Sequence, residues 1–437
     1  MKEQTLQRLA RAHMWYPWSP TRADGSDRLV IVAGEGCDVV DIHGCRYLDA
    51  KSCQLNASVG YGHPRVVAAI TAQIATLMTY DLVDGVTEPA VRLAARIAGV
   101  TDGLLSRTFF CGSGSEATET AVKMARMFHA LQGEPERRWV LSLADGYHGA
   151  TLAALSLTDM PMIRTGNNPI PEGFASVPTP RCGDCANRTR HQHCRIPGPE
   201  SLAETIETIG AGRVAAFIME PVLGVGGLVI PPAGYLEAVR EICDEFGVLL
   251  IFDEVMTGFG RTGRWFAHQH AGIIPDILTS GKGLTGGYLP LAAVTTRPEI
   301  YDVFAGDALL GGFRHGHTMA GHATACTAGL AVLDIVDSDG LVNRSARLGA
   351  DLLTALTPLR RQRWVHDVRG VGLLIGIEVD TVDRAVALSR AARDAGVLLR
   401  QQGPVLTVAP PLIVTESQAA RIAAVLASCV AELETRR

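Results

Sequence analysis

Lys282 stands in the stretch Asp276-Ile-Leu-Thr-Ser-Gly-Lys282-Gly-Leu-Thr-Gly-Gly287, enclosed by small residues after an apolar run and before a pair of glycines. An amine so placed can approach a planar aldehyde closely, which is what a Schiff-base lysine requires. Taken alone, the same pattern also describes a surface lysine in a glycine-rich turn. The upstream stretch Val248-Leu-Leu-Ile-Phe-Asp253-Glu254 changes the balance: an apolar, strand-like run ends in two adjacent carboxylates and enters a Gly/Thr/Arg loop that closes at Gly263. A carboxylate at the carboxyl end of a buried strand can hold a pyridine nitrogen protonated. Lys282 and Asp253 together therefore point to an aldehyde carried on a pyridine ring, which is pyridoxal phosphate (PLP).

The elements that must position these groups recur along the chain. A short apolar run from Arg107 breaks at Gly112-Ser113-Gly114-Ser115, and a strong helical pattern begins there. Free backbone N–H groups and the positive helix end converge at such a break, and Gly114 and Ser115 are small enough for a phosphate to approach. Another run from Val140 ends in Gly146-Tyr147-His148-Gly149. An aromatic ring at that place can lie flat on a pyridine ring. His148 reads equally as a satisfied loop histidine. A third run, Val214 to Met219, ends in Glu220-Pro221. Strand, helix and strand repeat at the intervals of right-handed βαβ units, with the chemistry at the carboxyl ends of the strands.

The 437 residues suffice for two domains with a large core, and 47% hydrophobic residues with 46 glycines suit a packed α/β protein. A net charge of -5 offers no reason to expect a nucleic-acid or anionic-membrane partner. No apolar run approaches the ~18 residues of a membrane helix. The first residues form an amphipathic pattern without a signal core, so a cytoplasmic protein is expected. Most of the ten cysteines lie in apolar segments, as buried cysteines do. The exception is the insertion holding Cys182, Cys185, His191, His193 and Cys194, whose spacing could hold a structural zinc or be a cysteine-bearing surface loop. His315, His317 and His322 have no accompanying carboxylate. No metal is assigned to either group.

In order, Asp253-Glu254, the Gly258 to Gly263 loop, Pro275-Asp276-Ile277 and Gly281-Lys282-Gly283 resemble the class-III (omega-type) aminotransferases of PLP fold type I, from about Trp15 to the C-terminal helix. The resemblance implies an α/β large domain with a mostly parallel sheet flanked by helices, residues 64–335. It also implies a smaller α+β domain built from both chain ends, residues 1–63 and 336–437. It places PLP on Lys282, Asp253 at the ring nitrogen, Tyr147 on the ring face, Glu220 near the ring hydroxyl, and Gly114 and Ser115 at the phosphate. Thr318 is implied to reach the phosphate of a second subunit's cofactor, hence a homodimer with shared active sites. Arg400 is implied to meet a substrate's distal carboxylate, although a hydrated or salt-bridged arginine is the plainer alternative. Trp15 or Trp18 is expected to touch substrate at the mouth of the site.

The resemblance also makes the loop from Lys51 to Pro64 a wall of the substrate pocket, and there this chain offers Cys53, Gln54 and Asn56. Those residues suit a polar or hydroxylated substrate, or merely satisfy the loop backbone. The expected reaction is amino transfer between a small amine and a carbonyl compound. Amino sugars of the aminoglycoside type, as in antibiotic biosynthesis, are the expected amines, and Arg400 keeps an amino-acid donor such as glutamate in play. The alternative is an epimerase of an amine-bearing carbon, with Cys53 as acid/base on the ring face opposite Lys282.

Overall fold

The computed structural model describes residues 3–18, 28–101, 103–167, 170–181 and 196–435. The cysteine- and histidine-bearing insertion from Cys182 to Cys194 lies outside them. Near the N-terminus, short alternating runs separated by glycine turns form β1 (Ile31–Glu35), β2 (Asp38–Asp41) and β3 (Arg46–Asp49), paired antiparallel in that order. The fourth strand of this sheet comes from the far end of the chain.

Seven strands make the central sheet: β4 (Arg107–Cys111), β5 (Trp139–Leu143), β6 (Phe174–Val177), β7 (Val214–Met219), β8 (Leu249–Asp253), β9 (Ile277–Ser280) and β10 (Ala292–Thr296). Their spatial order is β4-β10-β9-β8-β7-β5-β6. All neighbours from β9 to β6 run parallel, and β10 alone runs against both of its neighbours. Strands β7 and β8 are buried almost throughout, which is why they read as unbroken apolar runs rather than as an alternating pattern. Phe217, Phe252 and Leu278 anchor one face against the helices Glu88–Val100, Ala323–Ser338 and Tyr235–Phe246. On the other face Ile218, Ile251 and Ile277 meet Ala117, Ala121 and Ala125 of the helix Gly114–Leu131. Those alanines let the helix axis lie close to the sheet, so its N-terminus sits at the sheet's carboxyl edge.

The helix Ala323–Ser338 spans residue 336, and Gly340 (φ +61°) makes the turn that follows it. A second four-stranded sheet then forms from β11 (Val365–Gly370), β12 (Ile375–Val379), β14 (Arg400–Gln402) and β15 (Val405–Val408), in the order β11-β12-β15-β14. The remaining strand, β13 (Val397–Leu398), leaves that region and pairs parallel with β3. One apolar cluster accordingly joins Leu48, Val59 and Val66 to Leu352, Ile377, Leu406 and Ile422. Residues from both ends of the chain thus share one sheet and one apolar cluster.

The paired carboxylates at the end of β8 part company. Asp253 faces the carboxyl-edge cleft, whereas Glu254 is fully buried and accepts from Thr257 Oγ1 (2.8 Å), Ala267 N (2.7 Å), His268 N (2.8 Å) and His268 Nδ1 (2.9 Å). Four donors on one buried carboxylate fold the loop from Thr257 to His268 back beneath the sheet edge. Glu254→Gln puts an amide N–H where donors already point, and a buried donor left unmatched costs about 1–3 kcal/mol, more for a charged network. A melting temperature lowered by several degrees, with PLP still bound, is the expected result in calorimetry. An unchanged melting temperature would remove this structural role.

Candidate active site

Each chemistry-bearing residue sits just past the carboxyl end of a strand. Asp253 ends β8, Glu220 follows β7, Tyr147 and His148 follow β5, Gly114 and Ser115 follow β4, and Lys282 follows β9. Five turns thus converge on one cleft of about 410 Å³, lined by Tyr147, His148, Glu220, Asp253 and Lys282 together with Gly112 to Ser115. That volume lies inside the ~300–1,000 Å³ of small-molecule sites.

Asp253 is 5% exposed and fixed on three sides. Its Oδ1 accepts from Val255 N (3.1 Å) and from Thr279 Oγ1 (3.1 Å), its register partner on β9. Its Oδ2 lies 2.8 Å from His148 Nδ1. His148 is itself locked: its N–H donates to Thr158 Oγ1 (2.9 Å) and its carbonyl accepts from Thr118 Oγ1 (2.8 Å). Among the described residues His148 Nε2 is buried without a partner, so the tautomer that donates through Nδ1 leaves no N–H stranded. The histidine is therefore part of the carboxylate's mounting.

Glu220 accepts from Tyr147 N (3.0 Å) and Gly224 N (2.9 Å), which fixes the Tyr147 turn to the β7 turn. Burial pushes its carboxyl up from the ordinary value, nearby Asp253 adds to that, and His148 opposes it. Burial pulls the Lys282 ammonium down from 10.5, Arg400 pulls the same way, and Asp253 and Glu220 resist. Lys282 has a φ of +41°, a left-handed conformation that L side chains seldom adopt and that is found where function over-determines the backbone.

Ser113 caps the helix Gly114–Leu131, its Oγ accepting from Glu116 N (3.3 Å) while Glu116 Oε2 accepts from Gly112 N (2.6 Å). The turn is built for close approach. A Cβ on Gly114 would come within 3.0 Å of Val255, and one on Gly149 (φ +130°) within 2.5 Å of Ser115 Oγ. Ser115 Oγ in turn accepts from Ala150 N (3.1 Å). A carboxylate for a ring nitrogen, an amine biased toward its neutral form and a helix start cradled by glycines are the donor set that PLP requires. The residues fit it: Lys282 would hold the aldehyde carbon, Asp253 the ring nitrogen, Tyr147 and Val255 the two faces, and Gly114 and Ser115 the phosphate.

The other expected site residues are distributed unevenly. Trp18 sets its ring edge-on to Tyr147 at 6.2 Å between centroids and so reaches the site, whereas Trp15 is 89% exposed. Arg400 acts electrostatically on Tyr147, Glu220 and Lys282. Among the described residues its guanidinium has no hydrogen-bond or ion-pair partner. Thr318 is exposed in a neighbouring groove that shares Gly112, Ser113, Leu289 and Pro290 with the cleft. Cys53 and Gln54 are exposed and line neither cavity, while Asn56 of the same loop lines the cleft. Of the polar residues that this loop offers to the pocket, the cleft wall thus takes Asn56. Left-handed backbone at Ser52, Cys53 and Leu55 reverses the loop and turns Asn56 inward instead. His315 and His317 turn to Thr120 Oγ1 (3.1 and 3.4 Å). Burial and neighbouring Lys123 hold the His315 ring down to about 4.

Val255 and the His148 mount were missed in the sequence. The signal for Val255 was its place directly after the paired carboxylates. His148 lies 105 residues from Asp253, and no local pattern announces that pairing.

The aminotransferase class-III family model matches residues 21–430. The chain is 40% identical over 396 residues to the acetylornithine aminotransferase of Mycolicibacterium smegmatis, spanning 90% of this chain and 91% of that one. It is 36% identical over 397 residues to the beta-alanine–pyruvate aminotransferase of Pseudomonas aeruginosa, spanning 90% and 88%. An amine transaminase from an uncultivated Pseudomonas species, solved with PLP bound, superposes with a TM-score of 0.90 at 36% identity over 96% of this chain and 98% of that one.

Proposed function

Because the chain belongs to the class-III aminotransferases, PLP enzymes of fold type I, we propose that it passes an amino group from a small polar amine to a carboxylate-bearing carbonyl compound. The observation that carries this reading is the meeting of Lys282, Asp253 and the Gly114–Ser115 turn in one cleft. When bound, PLP supplies the electron sink for charge left at the amine-bearing carbon. Asp253 keeps negative charge at the ring nitrogen, and Lys282 Nζ, held toward its neutral form by burial, carries the proton to and from that carbon.

The test is incubation of the PLP-loaded protein with an amine in heavy water and no keto acid. Loss of the amine, with the cofactor's absorbance changing to that of its pyridoxamine form, is expected. Deuterium at the amine-bearing carbon with the amine retained would overturn amino transfer in favour of epimerisation.

The related proteins act on acetylornithine and on beta-alanine with pyruvate, according to their names. For this chain, Arg400, whose guanidinium has no partner among the described residues, is the cation that a substrate carboxylate would meet. Arg400→Leu is expected to raise KM for glutamate about ten- to a hundredfold, the loss of a charged hydrogen-bond pair, and to spare a neutral amine. Equal effects on both would remove Arg400 from carboxylate recognition. Amino sugars remain the amines that we favour, on the ground that Asn56 puts a polar side chain in the cleft wall.

We also infer a homodimer in which Thr318 reaches the partner's phosphate site. Val83 (92% exposed), Val86 and Leu310 are bare. Exposed apolar residues of this kind suit an interface. A monomeric mass by light scattering would rule it out.

A further inference from the structure

We propose that Asn56 is a specificity residue that recognises an uncharged oxygen on the amine substrate, a hydroxyl above all. The proposal rests on the amino-transfer reading of the same cleft. Asn56 lines the cleft, and its orientation is settled by chemistry: Gln54 N lies 3.1 Å from the Asn56 side-chain oxygen, and a backbone N–H can only donate. The oxygen is therefore turned back into the loop, and the amide nitrogen faces away from it. That nitrogen packs against Gly287, where a Cβ would come within 2.9 Å of it, and Gly287 also lines the cleft with a φ of +78°. Among the described residues the Asn56 amide nitrogen has no acceptor.

Most other polar side chains of the cleft are already committed. Asp253, Glu220 and His148 bond to one another's turns, Ser113 and Ser115 hold the phosphate turn, and Thr285 Oγ1 donates to Leu289 O (2.6 Å). Among the described residues that line the cleft, the Asn56 amide offers two N–H groups with no task toward the cofactor.

The backbone around it is built at a cost to place it. Ser52 (φ +48°), Cys53 (φ +60°, ψ -95°) and Leu55 (φ +63°) are left-handed without being glycine. Three such residues in four persist only where the surroundings over-determine them, and they concentrate at functional sites. The surroundings do so here. Buried Asp49 accepts from Cys53 N (2.6 Å), Lys51 N (3.1 Å) and Tyr61 Oη (2.6 Å). Ser52 Oγ donates to Ala409 O (2.6 Å) and accepts from Arg261 (3.3 Å). Asn56 N donates to Ser52 O (2.9 Å), and Asn56 O accepts from Ser58 N (2.7 Å).

A neutral amide pairs with a neutral oxygen without desolvating a charge, whereas a carboxylate is better matched by Arg400. The two substrates of one cleft are thereby told apart: the acid by the guanidinium, the hydroxylated amine by the amide.

The experiment uses the PLP-loaded protein and two probes of one carbon skeleton, serinol (2-amino-1,3-propanediol) and isopropylamine, with affinity read by calorimetry in the absence of keto acid. The wild type is expected to prefer serinol about tenfold, the worth of a good hydrogen bond. Asn56→Ala removes the side-chain amide without adding bulk, while Asn56→Leu replaces it with an apolar side chain of similar size. The ratio should fall to near one in each. A wild type without the preference, or a preference that survives either substitution, overturns the proposal. Conversion of the cofactor's absorbance by serinol judges the amino-transfer reading separately.

Discussion

Lys282→Ala is expected to lower turnover by on the order of 10⁴-fold, since one side chain provides both the covalent anchor and the proton carrier. The loss should be local. Gly281, Gly283 and the buried Leu284 fix the turn around Lys282, and a shorter side chain at position 282 leaves no buried partner unmatched. Asp253 and the Gly114–Ser115 turn remain, so PLP should still bind, reversibly and more weakly. Borohydride reduction followed by peptide mass analysis should find the cofactor on the Lys282 peptide of the wild type and on no peptide of the variant. Turnover that survives, or an adduct on another lysine, would sink the assignment. The amine's environment adds a pH signature. Burial, helped by Arg400, lowers the Lys282 pKa from 10.5. The rate at which cofactor-free protein captures PLP should therefore rise with pH as the neutral amine appears, and level off below the pH at which an ordinary lysine would.

The placement of Lys282, Asp253, Glu220, Tyr147, Gly114 and Ser115 was legible because each follows an apolar run that can only be a buried strand, and parallel strands collect their carboxyl ends at one edge. What was not legible depends on direction. Asp253 and Glu254 are adjacent, and alternation along a strand sends them to opposite sides, but nothing local says which of the two enters the cleft. The loop at Cys53 gives the reverse lesson. It contains no glycine between Ser52 and Asn56, so its left-handed turns carry no local signal, and the inward residue is Asn56 rather than Cys53 or Gln54. The edge strand β6 and the parallel pairing of β13 with β3 depend on distant partners and have no local signature.

Asp253→Asn is expected to cost on the order of 10²–10³-fold in turnover while leaving the fold in place, because it removes a preorganised charge without removing a shape. The amide oxygen can still accept from Val255 N and Thr279 Oγ1, both at 3.1 Å in the wild type. The amide nitrogen then faces His148 Nδ1 across 2.8 Å, and His148 must accept there. Its proton moves to Nε2, which is buried and has no partner. An orphaned buried donor costs about 1–3 kcal/mol, so the melting temperature should fall modestly. The larger effect is chemical: an amide cannot hold a ring nitrogen protonated. A PLP analogue methylated at that nitrogen carries the positive charge permanently and needs no carboxylate to keep it. If the role of Asp253 is to maintain that charge, the analogue should restore part of the variant's activity and add nothing to the wild type. A variant with full activity on ordinary PLP would show that charge at the ring nitrogen is not required. One that the analogue cannot rescue would instead place the role of Asp253 in positioning the ring with His148.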